Sequence, residues 1–233
     1  MTKAKKDNSN KSTIIIIIII IILLAAISGW GYAIKLQTTS TPRLEPKALK
    51  TIKSNQKLSS SDSDLVKGIE RRRSVPRGKF TGKKIDNEEL VLLGWSATGK
   101  NREGTGFVVP LAKGAEPYIS LYLVQKEGVR QFDWKTNQIR RISDNDIRDQ
   151  VNSGQEATAT WVYVIDKKKI PDKNMNYAWH TIGAMSEHQY LVADELNIDT
   201  RFMSSINSKK VAKSLNLDIN ENEPVSVMLM AKK

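Results

Sequence analysis

Nine consecutive isoleucines, residues 14–22, restrict this chain more than any other feature of its sequence. Leu23, Leu24, Ala25, Ala26 and Ile27 extend the run, Trp30 and Tyr32 close it, and no charge falls between Lys11 and Lys35. As a helix, residues 13–34 would reach about 33 Å at ~1.5 Å per residue, enough for a hydrocarbon core of about 30 Å. Isoleucine is a mediocre helix former in water, but in lipid the backbone has no partner except itself. The segment therefore predicts a transmembrane helix with its aromatic residues at the interface. A buried core helix is disfavoured, because the run has no polar face. The other reading that fits is a signal peptide, cut after Gly31-Tyr32-Ala33.

Either reading predicts a basic cytoplasmic tail over residues 1–12 and an exported remainder. The expected location is a single-pass membrane protein with its C-terminal domain outside the cytoplasm. The alternative is secretion after cleavage. Residues 35–62 are rich in Ser, Thr, Lys and Gln and contain Pro42 and Pro46, the composition of a flexible basic linker. Its lysines could touch anionic head groups. More than half of the +12 net charge lies before residue 63, so the excess does not define a basic globular face. With no aromatic stacking residue among the basic positions until Phe80, nucleic acid is an unlikely partner.

Residues 63–233 read as one folded domain. The chain has no cysteine, which excludes thiolate metal sites, iron–sulfur clusters, a cysteine nucleophile and disulfides. Two histidines, His180 and His188, give no third ligand, so no metal site is expected. Ser63-Asp64 starts a short helix that leads into Arg71-Arg72-Arg73-Ser74. Asp86 and Glu89 form a capping pair ahead of Leu90–Trp95. Alternation predicts strands over 118–124 and 129–134, with a turn at Lys135-Thr136-Asn137 and a short return arm over 138–142. Further elements are a short helix over 144–151, a buried strand over 159–165, a long helix over 175–197, a helix capped by Ser208 and a final strand over 225–230. Helices and strands mix without regular alternation, so the fold class is α+β: a central mixed or antiparallel sheet flanked by helices.

Several motifs fail on inspection. Gly94–Lys100 approaches a phosphate loop, but Asn101 stands where Mg²⁺ ligation needs Ser or Thr, and the segment follows a helix. Gly104-Thr105-Gly106 lacks a third glycine, and no Gly-x-Ser-x-Gly occurs.

Arg71-Arg72-Arg73-Ser74, followed by Arg77 and Phe80, carries more. Clustered guanidiniums beside a hydroxyl can hold a phosphate through forked, charge-assisted bonds. The segments after it occur in a telling order: the Leu90–Gly99 helix, Pro110-Leu111-Ala112, a strand through Leu121-Tyr122-Leu123-Val124, Gly128–Asp133, Asp146-Ile147-Arg148, Met185–Leu191 and Ser214–Leu217. This succession resembles the FMN-dependent nitroreductase family, in the branch related to SagB-type dehydrogenases.

The resemblance implies a nitroreductase-like fold, a homodimer with FMN between subunits, and reduction of a small organic acceptor, with NAD(P)H a possible donor. Arg72, Arg73 and Ser74 would hold the phosphate and ribityl end, with Arg77 at the next basic position. Pro110, Leu111 and Ala112 would lie along the flavin, and Ser204 and Ser205 would approach it. No catalytic side chain is implied, since N5 of the flavin carries the chemistry. The chain departs from the pattern in four places. Leu111 replaces a serine, Glu187-His188 replaces Gln-Asn, Met203-Ser204-Ser205 replaces glycine-bearing turns, and Lys232-Lys233 stands where the family has an arginine. These departures keep an alternative open: a flavin-free binding or scaffold protein on the same fold.

Overall fold

The structure, a computed structural model, describes residues 64–80, 82–103 and 106–233. The expected basic tail, membrane span and linker, together with Ser63, lie outside the described residues. Among the described residues, no helix is long and apolar enough to cross a membrane.

The chain forms helix α1 (Asp64–Arg71), α2 (Asn87–Thr98), strands β1 (Ile119–Gln125), β2 (Gly128–Asp133) and β3 (Gln138–Ser143), then α3 (Arg148–Val151), β4 (Ala159–Asp166), α4 (Met175–Glu195), β5 (Ile198–Met203), α5 (Ser208–Ser214) and β6 (Asn222–Lys232). The six strands make one sheet in the order β3-β2-β1-β4-β6-β5, and every pairing is antiparallel. The sheet is thus antiparallel throughout, with no parallel pair to make it mixed.

β4 sits in the middle, and its residues 159–165 are all buried. A strand covered on both faces needs apolar side chains on both, which explains a near-continuous run in place of an alternating one. Trp161, Tyr163 and Ile165 face the layer of α2 and α4, packing with Leu90, Leu93 and Met185. Val162 and Val164 face the other way, toward Val151 of α3, Val211 of α5 and Leu215 just after it. The domain is therefore three layers deep, with long helices on one side and short ones on the other.

Local signals set the helix ends. Asp86 and Glu89 form the expected capping box, the Glu89 carboxylate accepting the Asp86 N–H at 3.2 Å. Asn174 caps α4 by accepting the Asn176 N–H at 3.1 Å. At α5 the cap is Asn207, which accepts the Lys210 N–H at 3.0 Å, one residue before the expected Ser208. Asn and Ser cap about equally well, so the residue type alone does not decide between the two neighbours. α2 approaches the sheet so closely that a Cβ on Gly94 would lie 2.5 Å from the Phe132 ring.

Strand β5 has no counterpart among the expected elements. Only Leu196 and Asn197 separate it from α4, with Asn197 in the left-handed region at φ 56°. Asp199, Thr200 and Arg201 interrupt its apolar pattern, which hides a strand that is half covered by the chain's own N-terminal segment.

One buried polar chain ties the layers together. The Tyr163 hydroxyl donates to Gln189 Oε1, and Gln189 Nε2 donates to the Leu93 carbonyl at 3.1 Å. Burial pushes the Tyr163 phenol well above its ordinary value. Tyr163→Phe is expected to leave the buried Gln189 oxygen unpaired and to cost about 1–3 kcal/mol at neutral pH. Because the folded phenol titrates above the unfolded value of about 10, it must ionise on unfolding in alkali. The stability gap between wild type and Tyr163→Phe is thus fully present below pH about 10 and narrows above it, as thermal unfolding at pH 7 and pH 11 would show.

Candidate functional site

The arginine cluster is built where α1 ends. Arg71 anchors that end on α4: its Nε bonds Asp194 Oδ2 at 2.9 Å and its Nη2 bonds Glu195 Oε2 at 3.0 Å. The bond to Asp194 is the main reason its guanidinium is held above its ordinary value. The chain then leaves the helix and runs along the open edge of β5. The Val75 N–H donates to the Thr200 carbonyl at 2.8 Å, and Arg201 Nη1 donates to the Val75 carbonyl at 2.9 Å. Arg201 Nε is buried and has no partner among the described residues.

Residues 72–74 are held between that edge and α4. The Arg72 guanidinium lies 5.0 Å from the centre of the Tyr190 ring, and its Nε lies 3.2 Å from Glu187 Oε1. Glu187 and Tyr190 are three residues apart, so they share one face of the helix. The Tyr190 hydroxyl accepts the Phe202 N–H at 2.7 Å and donates to Ser74 Oγ at 3.2 Å. Arg73 is exposed and bonds no described residue. The structure therefore places Arg72 and Ser74 together on Tyr190, with the exposed Arg73 between them in the chain.

Arg77 goes elsewhere. It donates to the Ser153 carbonyl at 3.4 Å, on the loop after α3, and shares none of the Tyr190 contacts. Ser204 and Ser205 follow β5 directly and are exposed, and neither bonds a described residue. Lys232, at the position compared with the family arginine, is occupied by Glu89 and by the Leu196 carbonyl at 2.8 Å.

The third predicted segment meets the other half of α4. The Ala112 N–H donates to the Tyr118 hydroxyl at 3.4 Å, and that hydroxyl lies 2.7 Å from Thr181 Oγ1. Pro110 is exposed, while Leu111 is half-buried against Ile119, Thr181 and Met185 around an apolar pocket of only about 10 Å³. Thr181 and Glu187 are separated by about 9 Å along the helix at ~1.5 Å per residue, so α4 is the rail that carries both halves of the site.

These residues can be tested against FMN. The cluster at residues 72–74 suits a phosphate, since it offers two guanidiniums and a hydroxyl beside an exposed surface. The Leu111 pocket has barely the volume of one water, so a flavin ring would lie over this segment and not within it. Sequence reasoning singled out the arginines and Ser74 as candidates, but not Tyr190 or Arg201, which contact this segment. The Glu187/Tyr190 spacing on a helix is a usable signal, whereas Arg201 sits in the strand that the pattern concealed.

The nitroreductase family pattern matches residues 69–232. This chain belongs to the nitroreductase family. No curated protein matches the sequence. Among solved structures, a nitroreductase-type protein from Ralstonia eutropha JMP134 is 20% identical with a TM-score of 0.65, covering 73% of this chain and 83% of that one. A chain of the Escherichia coli microcin synthetase McbBCD complex, solved with truncated pro-MccB17, is 18% identical with a TM-score of 0.58, covering 70% of each. A nitroreductase-type protein from Desulfovibrio desulfuricans, solved with FMN, is 14% identical with a TM-score of 0.50, covering 72% of this chain and 86% of that one. At these identities the likeness is one of fold.

Leu111 packs half-buried over Thr181 and Met185 of α4. Leu111→Ser is expected to lower unfolding stability by about 1–2 kcal/mol, less than the ~2–5 kcal/mol of a fully buried leucine because Leu111 is only half-buried, without disturbing the arginine cluster. Chemical denaturation measures the loss.

Proposed function

We propose that this chain is an FMN-dependent oxidoreductase related to the SagB-type dehydrogenase branch, tethered to a membrane through residues 13–34 with its domain outside the cytoplasm. The observation that carries the reading is that Arg72 and Ser74 meet on Tyr190 of α4, with the exposed Arg73 between them bonding no described residue. The anion they suit is a phosphomonoester, which FMN carries at the end of its ribityl chain. Bound there, FMN would supply hydride transfer through N5 of its ring to a small organic acceptor, with NAD(P)H as the donor class.

Each protein group has a physical task in this reading. Arg72 and Arg73 neutralise the phosphate, and Ser74 donates to it. Pro110, Leu111 and Ala112 form an apolar floor for the ring, and Ser204 and Ser205 flank its approach. A homodimer would complete the site. Trp179 on α4 and Leu65 and Ile69 on α1 are 45%, 62% and 53% exposed, apolar positions that contact with a second copy would cover.

The full chain purified with FMN is expected to be yellow, with about one flavin per chain, and to oxidise a nicotinamide donor when an acceptor is present. Replacing both Arg72 and Arg73 by alanine should weaken FMN binding by about 3 kcal/mol, since bonds to charged groups contribute roughly 1.5–3 kcal/mol each. A chain that stays colourless in excess FMN would reject the reading and leave a flavin-free binding or scaffold protein, the function that Leu111 and Ser204-Ser205 would then fit.

A further inference from the structure

We infer that Tyr190 is the positioning residue of this anion grip, and that it acts by fixing which hydrogen Ser74 can offer. The inference rests on the flavoprotein reading for the identity of the ligand, but its geometry is independent of it. Tyr190 is 8% exposed, and each part of its side chain has a separate task. Its ring lies under Arg72, 5.0 Å from the guanidinium carbon, a distance suited to cation–π attraction. Its hydroxyl oxygen accepts the Phe202 N–H at 2.7 Å, which fixes the oxygen relative to β5.

The same hydroxyl donates its hydrogen to Ser74 Oγ, 3.2 Å away. Ser74 Oγ therefore accepts from the protein, and its own hydrogen remains available to an incoming anion. A chain of donors forms, from the β5 amide through Tyr190 and Ser74 to the ligand, and each bond polarises the next. Glu187 completes the arrangement from the adjacent turn of α4. It pairs with Arg72 at Nε, 3.2 Å away, and no hydrogen bond from the Arg72 Nη groups to a described residue occurs. The ligand class that this fits is a phosphate with three or more acceptor oxygens, because the offered groups are all donors.

The test compares FMN, riboflavin and inorganic phosphate on the full chain by calorimetry. Riboflavin has the ring and ribityl chain without the phosphate, so it reports an intact domain. Tyr190→Phe is expected to weaken FMN about fivefold to tenfold, the scale of one or two net hydrogen bonds, while riboflavin changes less than about twofold. Ser74→Ala should give a similar loss, and the double variant should lose no more than the larger single one, because both act through one hydrogen. Equal weakening of FMN and riboflavin in Tyr190→Phe, or full additivity of the two losses, would overturn the inference. If Tyr190→Phe does not fold, Ser74→Ala decides alone, and an unchanged preference for FMN over riboflavin overturns it. Phosphate binding that depends on Tyr190 without any FMN binding would uphold the positioning role and reject the flavin reading. A wild-type chain that binds neither FMN nor phosphate would end both.

Discussion

The pairing of Val75 with the open edge of β5 is the contact on which the site depends. β5 ends the sheet, and an uncovered strand edge presents unpaired backbone groups. Here the segment after α1 covers it, through the Val75 N–H to Thr200 and Arg201 to the Val75 carbonyl. The same two bonds fix where residues 72–74 lie. Arg71, clamped to Asp194 and Glu195, fixes the other end of the segment. A short stretch held at both ends has few backbone conformations left, so little backbone ordering would remain for a ligand bound there to impose.

The opposite face of the sheet and its centre are governed by burial and not by chemistry. β4, covered on both sides, demands the two helical layers, and the layer of α2 and α4 in turn supplies the rail along which the two halves of the site are arranged. Tyr163 and Gln189 connect that rail to the sheet interior. The site is therefore carried on rigid elements, with loops contributing only residues 110–112 and the turn after β5.

Much of this was legible in the sequence, for identifiable reasons. Helix α2, helix α4 and strands β1, β2 and β4 announce themselves by periodicity, by the Asp86/Glu89 pair and by a β-branched apolar run. The arginine cluster was legible by composition and the family by the order of its segments. β5 was not, because its buried positions include the polar Thr200 and the charged Asp199 and Arg201 stand on either side of it, so no apolar run survives to mark a strand. The supporting role of Tyr190 was equally hidden. A tyrosine at helical spacing reads as core until its hydroxyl is seen between Phe202 and Ser74. Arg77 shows the converse: its place in the motif suggested the phosphate, but Pro76 and Gly78 turn the chain, and its guanidinium meets the Ser153 carbonyl.

The most direct measurement is a crystal structure of the full chain grown with FMN. The account predicts the phosphate within about 3 Å of the Arg72 and Arg73 guanidiniums and of Ser74 Oγ, with the ring lying over Pro110–Ala112 along α4. A flavin bound with its phosphate away from residues 72–74, those side chains remaining in solvent, would contradict it.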